Sequence, residues 1–230
     1  MKKIGILGGL GPESTVDYYK EIIGAFNSKY THLAYPDILV YSANINELMT
    51  FVDDENWQGL SRWLLERIDS LKQAGADFVA IASNTPHIVF DDIKLKASLP
   101  LLSIVEATCN KAQELHLNNI GLMGTKLTME ADFYKRPFIA KDISIVTPTE
   151  EEQRLIHHRL FSEIELGILK DSTRDELLAI TKRMVEENKI DSLILGCTEL
   201  PLILTENRHD IPFLNTSKIH CKEIVTTCII

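Results

Sequence analysis

Ile4-Gly5-Ile6-Leu7-Gly8 recurs as Ile120-Gly121-Leu122-Met123-Gly124, and Asp77-Phe78-Val79-Ala80-Ile81-Ala82-Ser83 recurs as Asp191-Ser192-Leu193-Ile194-Leu195-Gly196-Cys197. In the second pair an apolar run opens on an aspartate and ends, six residues on, at a small nucleophilic side chain. Proline follows within four residues in both copies, Pro86 and Pro201, where a first helical turn tolerates it. Self-similarity at two landmarks implies two α/β lobes related by a pseudo-twofold axis.

The rest of the chain agrees. Short apolar runs at Ile4–Leu7, Ile38–Ser42, Phe78–Ala82, Leu101–Ile104, Ile120–Met123, Ile143–Val146 and Ser192–Leu195 alternate with amphipathic stretches. That alternation is the signature of an α/β protein with largely parallel sheets. Helical spacing is plain in Trp57, Leu60, Leu64, Ile68, Leu71, in Leu155, Phe161, Ile164, Ile168, and in Leu177, Leu178, Thr181, Met184, Val185. Leu99–Pro100 and Asp210-Ile211-Pro212 are the expected crossover points between lobes.

The 230 residues are 45% hydrophobic and 25% charged, with a formal net charge of -9. An acidic chain is a poor partner for nucleic acid, whose affinity rests on lysine and arginine neutralising phosphates. No apolar run approaches the roughly 18–20 residues that span a bilayer. The N-terminal MKKIGILGGLGPEST is interrupted by glycine, proline and glutamate before a signal-peptide core can form. The expectation is therefore neither membrane nor export. The four cysteines (Cys109, Cys197, Cys221, Cys228) form no CxxC pair and read as reduced intracellular thiols. The histidines 32, 87, 116, 157, 158, 209 and 220 form no HExxH or spaced cluster, so no zinc site is expected.

Gly8-Gly9-Leu10-Gly11 follows a strand, yet the dinucleotide fingerprint fails: Ser14 stands where its third glycine is required, and the strand ending near Asn44 lacks the ribose-binding acid. Two readings remain, a tight strand-to-helix turn, or backbone N–H groups aimed at an anion with Ser14 or Thr15 at the helix start. Leu195-Gly196-Cys197-Thr198-Glu199 is more specific. It puts a cysteine at the C-terminal end of a parallel strand, where α/β sheets place ligands. A helix N-terminus there would lower the thiol pKa and favour the reactive thiolate. Ser83-Asn84-Thr85 mirrors it in the other lobe. His87, His220, Trp57, Trp63 and the remaining cysteines read as packing residues. Glu150-Glu151-Glu152 reads as the dipole-favoured start of a helix after Thr149.

At Ile4–Thr15, Asn84–His87, Gly124–Tyr134, Gly196–Leu200 and Lys218–His220 the chain resembles the cofactor-independent aspartate/glutamate racemases over nearly its full length. The resemblance implies two pseudo-symmetric Rossmann-like α/β lobes with the active site between them. The N-lobe would comprise 1–98 plus 211–230 and the C-lobe 99–210, the last strand and helix rejoining the N-lobe. It implies a cytoplasmic homodimer acting on a small amino acid, without pyridoxal phosphate or metal. One thiolate removes the α-proton and a group on the opposite face returns one. Cys197 matches the C-lobe thiol, and Ser83 stands where the N-lobe cysteine is expected. Asn84, Thr85, Thr125, Thr128 and Thr198 fall where the substrate's α-carboxylate and amino group bind, with Gly9, Leu10 and Glu199 bordering the same cleft.

Three departures from that pattern stand out. Serine at position 83 is a far weaker acid than a thiol. Asn44–Met49 contains no arginine or lysine to hold a side-chain carboxylate, and Glu165 occupies the position of a second cation. Asn215 replaces an acid before the C-terminal threonine. Two alternatives follow: a single-cysteine decarboxylase of the arylmalonate type, or a non-catalytic amino-acid-binding protein.

Overall fold

The computed structural model describes residues 1–29 and 34–230; His32 lies outside them. The chain divides into two compact units, Met1–Ala107 with Ser217–Ile230, and Thr108–Thr216.

The first unit runs β1 (Ile4–Gly8), α1 (Pro12–Lys29), β2 (Ile38–Ser42), α2 (Ile45–Asp53), α3 (Trp57–Gln73), β3 (Phe78–Ile81), α4 (Phe90–Lys96) and β4 (Leu101–Leu102), and α5 (Ile104–Glu114) leads out of it. The second runs β5 (Asn119–Gly124), α6 (Lys126–Glu130), α7 (Asp132–Ile139), β6 (Ser144–Val146), α8 (Glu150–Ser162), α9 (Asp171–Asn188), β7 (Ser192–Gly196), α10 (Leu200–Ile203) and β8 (Phe213–Asn215). Helix α11 (Thr216–Ile229) returns to the first unit. Each unit holds a four-stranded sheet, ordered β2-β1-β3-β4 and β6-β5-β7-β8, and every pairing in both is parallel.

The repeat is thus a repeat of topology, since β1 and β3 occupy in the first sheet the places of β5 and β7 in the second. The aspartates that open β3 and β7 have a shared structural cause. Asp77 Oδ2 accepts from the Lys3 backbone N–H at 2.6 Å, and Asp191 Oδ2 accepts from those of Asn118 and Asn119 at 2.7 and 3.1 Å. Each carboxylate locks the entry of its strand to that of the neighbouring central strand. Buried on both faces, β1, β3 and β7 read as unbroken apolar runs rather than alternating ones.

Apolar helix faces close over each sheet. In the first unit Leu60, Trp63, Leu64, Ile68 and Leu71 of α3 pack with Leu7, Val79 and Ile81, while Tyr18, Ile22 and Phe26 of α1 meet Ile224, Val225 and Cys228 of α11. In the second, Ile156 and Leu160 of α8 and Leu177, Ile180 and Met184 of α9 pack on Met123, Leu193 and Leu195. Helix α8 starts after Thr149, as the sequence predicts, and Thr149 and Glu152 add a reciprocal capping box there. All four cysteines are free and buried. Among the described residues, no helix is long and apolar enough to cross a membrane.

The crossings fall later than the sequence puts them. β4 pairs with β3, so the chain leaves the first sheet after Leu102 rather than at Leu99–Pro100. β8 pairs with β7 in the second sheet, Leu193 against Phe213, so only the last helix rejoins the first unit, not the last strand. Proline punctuates both places, but hydrogen-bond pairing, which is non-local, decides sheet membership.

Candidate active site

Cys197 follows β7 directly, and its depth is set by the close approach of β5. A Cβ on Gly196 would come within 2.7 Å of Leu122 Cδ1 and 2.9 Å of the Met123 carbonyl, so only glycine delivers the chain to that point. The Cys197 side chain is buried, and its Sγ lies 3.5 Å from Glu165 Oε1 and 3.2 Å from Glu199 Oε2. Thr198 Oγ1 donates to the same Glu199 oxygen at 2.8 Å. The other, Glu199 Oε1, is buried without a hydrogen-bond partner.

These neighbours reverse the expected electrostatics. Helix α10 spans only Leu200–Ile203, with Glu199 at its N-cap, so an acid takes the place where a helix N-terminus was expected to activate the thiol. Burial first, then the Glu199 and Glu165 carboxylates, push the Cys197 thiol well above its ordinary value. Burial and the Glu199 charge likewise push Glu165 up to about 8, against the hydrogen bond from Cys197. The Cys197 thiol and Glu165 therefore hold their protons at neutral pH.

Glu165 reaches this cluster from a 3-10 turn, Ile164–Leu166, that ends at Gly167 with φ 72°. Two residues earlier, buried Glu163 anchors the turn. Thr173 donates to it at 2.5 Å and Arg159 and Lys170 pair with it at 2.8 and 3.0 Å, and the Thr173 and Lys170 bonds hold its carboxyl down at about 2. Glu165, Cys197 and Glu199 bring one ligand atom each within 4.8 Å of one another, a donor set that a divalent cation accepts. The spacing of histidines and cysteines gave no sign of it, because two of the three donors are carboxylates far apart in the chain.

Thr125 and Thr128 sit after β5 in the same unit. Thr125 caps α6, its Oγ1 accepting from the Thr128 backbone N–H at 3.3 Å and lying 3.0 Å from the Thr128 hydroxyl. Thr128 is completely buried, so its hydroxyl braces Thr125.

In the first unit, Ser83, Asn84 and Thr85 follow β3 and lead into a 3-10 turn over Thr85–Val89, with Pro86 in its first turn. All three are buried. His87 packs flat on Phe90 with ring centroids 4.8 Å apart, and its Nε2 accepts from the Ile104 backbone N–H at 3.3 Å. Desolvation lowers it to about 3, so it is a neutral structural group. His220 is similar: it bonds to the Tyr18 hydroxyl at 2.9 Å and the Leu102 carbonyl at 3.2 Å, and burial lowers it to about 4.

The glycine loop after β1 follows the structural alternative. Gly9 has φ 76°, and a Cβ there would stand 2.3 Å from the Ala43 carbonyl, so the position requires glycine. Its N–H donates to Thr15 Oγ1 at 2.9 Å, and Ser14 and Thr15 both donate to the Gly11 carbonyl. The Gly9 N–H and both hydroxyls are thus spent inside the turn rather than aimed at an anion. Leu10 packs in the apolar cluster with Leu48 and Trp63.

Comparison with known proteins agrees with this architecture. The chain is 24% identical over 235 residues to the broad specificity amino-acid racemase RacX of Bacillus subtilis, covering 97% of both chains. The crystal structure of an aspartate racemase homologue from Pyrococcus horikoshii superposes with a TM-score of 0.84 at 34% identity, over 100% of both chains. An aspartate racemase from Picrophilus torridus, 21% identical, shares the fold with a TM-score of 0.75 over 98% of this chain and 94% of its own. The family model for Asp/Glu/hydantoin racemases matches residues 7–224. With its paired parallel sheets and a thiol at the end of β7, the chain belongs to the Asp/Glu/hydantoin racemase family of isomerases, as an amino-acid racemase.

Proposed function

We propose that this racemase interconverts the L and D forms of aspartate, glutamate or a related amino acid by two-base proton transfer, with Cys197 and Ser83 as the acid–base groups. The observation that carries the proposal is the Cys197 thiol held between two carboxylates, 3.2 Å from the nearer. The thiol is neutral at rest, so a bound substrate must help to ionise it. The substrate ammonium supplies the charge: placed against Glu199, it offsets the acid that opposes thiolate formation. The thiol proton leaves to solvent as the ammonium docks, and Glu199 keeps the charge that holds the ammonium. The thiolate then takes the α-proton of the L-substrate, leaving a carbanion stabilised by the adjacent carboxylate.

Ser83 donates its hydroxyl proton to the opposite face, giving the D-product. The return step needs Ser83 as alkoxide, so removal of the α-proton from the L-substrate is the easier half-reaction. Asn84, Thr85, Thr125 and Thr198 hold the α-carboxylate and amino group, with Thr128 bracing Thr125, and the Gly9–Leu10 loop and Glu199 border the substrate. Two protein acid–base groups suffice for this chemistry, and neither pyridoxal phosphate nor a metal enters the scheme. The protein works as a cytoplasmic homodimer on this reading, as the family resemblance implies.

Serine at position 83 leaves a single thiol, which favours a decarboxylase of the arylmalonate type as the second reading. Incubation in deuterium oxide separates the two. α-Deuterium incorporation into an L-amino acid supports the racemase. Carbon dioxide release from an arylmalonate without amino-acid exchange supports the decarboxylase, and binding with neither reaction supports an amino-acid-binding protein.

A further inference from the structure

The acidic surroundings of Cys197 bear on what the substrate carries beyond its reacting carbon. Glu165 Oε1 and Glu199 Oε2 both lie within 3.5 Å of the thiol, and the three groups sit within 4.8 Å of one another. Among the described residues, no lysine or arginine pairs with either carboxylate. Arg159 and Lys170, the cations of the neighbouring chain, are engaged by Glu163 and Glu176 instead. Lys126, next to Thr125, is exposed and pairs with Glu130. Glu199 is 1% exposed, and one of its oxygens has no partner at all. A buried, half-satisfied carboxylate is costly unless something positively charged or hydrogen-bonding completes it.

An α-ammonium group completes one carboxylate. The second then faces the substrate's side chain, because a carbon in contact with Sγ holds its substituents within a few ångström of both acids. A side-chain carboxylate there would add a negative charge to a buried cluster in which Glu165 and the thiol already resist ionisation. A side-chain ammonium or guanidinium would offset that penalty, letting Glu165 ionise and pair with it. No positive counterpart for an acidic side chain exists in the buried interior either, since no lysine or arginine is buried among the described residues and both buried histidines are neutral.

We propose that the preferred substrates are basic α-amino acids, of the ornithine and lysine kind, with the side-chain cation held at Glu165 and the α-ammonium at Glu199. This rests on the racemase reading above and narrows it, with dicarboxylic amino acids as the disfavoured class. Neutral side chains of the same length fall between the two.

The test compares L-ornithine, L-norvaline and L-glutamate, which have side chains of similar length and different charge. α-Deuterium exchange is followed by mass spectrometry and binding by calorimetry. The expected order in kcat/KM is ornithine, then norvaline, then glutamate. The extremes should differ by on the order of 10²-fold, the scale of one poorly screened charge contact reversed in sign. Glu165→Gln should compress that ratio about tenfold or more, and Glu165→Lys should invert it. Glutamate exchanged as fast as ornithine by the parent protein, or a ratio untouched by Glu165→Gln, overturns the proposal and leaves the racemase reading intact. Ornithine bound preferentially but never exchanged supports the charge assignment and removes the racemase chemistry. Binding of none of the three overturns both.

Discussion

Replacing Glu199 by glutamine should make the Cys197 thiolate easier to form and the racemase slower. In the parent, Sγ lies 3.2 Å from Glu199 Oε2, and the charge there opposes thiolate formation. At an effective dielectric of about 20, two unit charges at that distance repel by roughly 5 kcal/mol. Retaining only a quarter of that as a net effect still gives about 1.3 kcal/mol, close to a tenfold change in the thiolate-to-thiol ratio at fixed pH. Glutamine is nearly isosteric, keeps an acceptor for the Thr198 hydroxyl and adds an amide donor to the thiolate, so the fold should persist.

The assay is the ultraviolet absorbance of the thiolate titrated against pH, with the Cys197→Ala protein subtracted to remove the other cysteines. The Glu199→Gln thiolate should appear at lower pH, with a ratio at least about tenfold higher at any pH on the rising limb. Racemisation should nevertheless fall, because the partner of the substrate ammonium is gone. A titration unchanged or shifted upward, in a variant of unaltered circular dichroism, would refute the electrostatic account of this site.

Three further outcomes are expected. Ser83→Cys should raise inversion by roughly 10²-fold or more, the scale of one restored acid–base group. In the Ser83 protein, chiral chromatography and deuterium counting should show exchange into the L-substrate outrunning inversion. His220, lowered to about 4 by burial, takes up a proton more readily unfolded than folded, so the stability it lends is present above about pH 6.5 and is lost as pH falls toward 4. Urea unfolding at about pH 7 and pH 5 should show about 2 kcal/mol of that loss, missing in His220→Gln; an identical pH dependence in the variant would count against a buried neutral histidine. Asp191→Ala, which strands the Asn118 and Asn119 N–H groups, should cost about 1–3 kcal/mol by chemical denaturation, and a neutral effect would show that the strand-entry lock is idle.

The repeat made the two-sheet architecture legible because its landmarks are local. A glycine-bounded central strand, and an aspartate six residues before a nucleophilic side chain, survive in both copies, and hydrogen bonds at Asp77 and Asp191 explain why. The edge strands were harder. With two and three residues, β4 and β8 carry no periodicity, and their sheet membership follows only from pairing with β3 and β7. The place of the Cys197 thiol at a strand end is legible in the sequence, but its raised pKa is not. The dipole argument looks only at the chain after the cysteine, whereas Glu165 arrives from a separate turn and Glu199 displaces the helix start. Glu165 reads in the sequence as an acid in a cation's position, but its contact with the thiol depends on the turn that Glu163 anchors through Thr173.

The central claim is that Cys197 takes the α-proton from the L-enantiomer. Its most direct test is α-deuterium incorporation into L-ornithine and L-glutamate in deuterium oxide, with the parent protein beside Cys197→Ala at matched folding. The parent should incorporate deuterium into at least one of the two and the variant into neither, with its melting behaviour retained. Exchange at the parent rate in folded Cys197→Ala would remove this thiol from the mechanism.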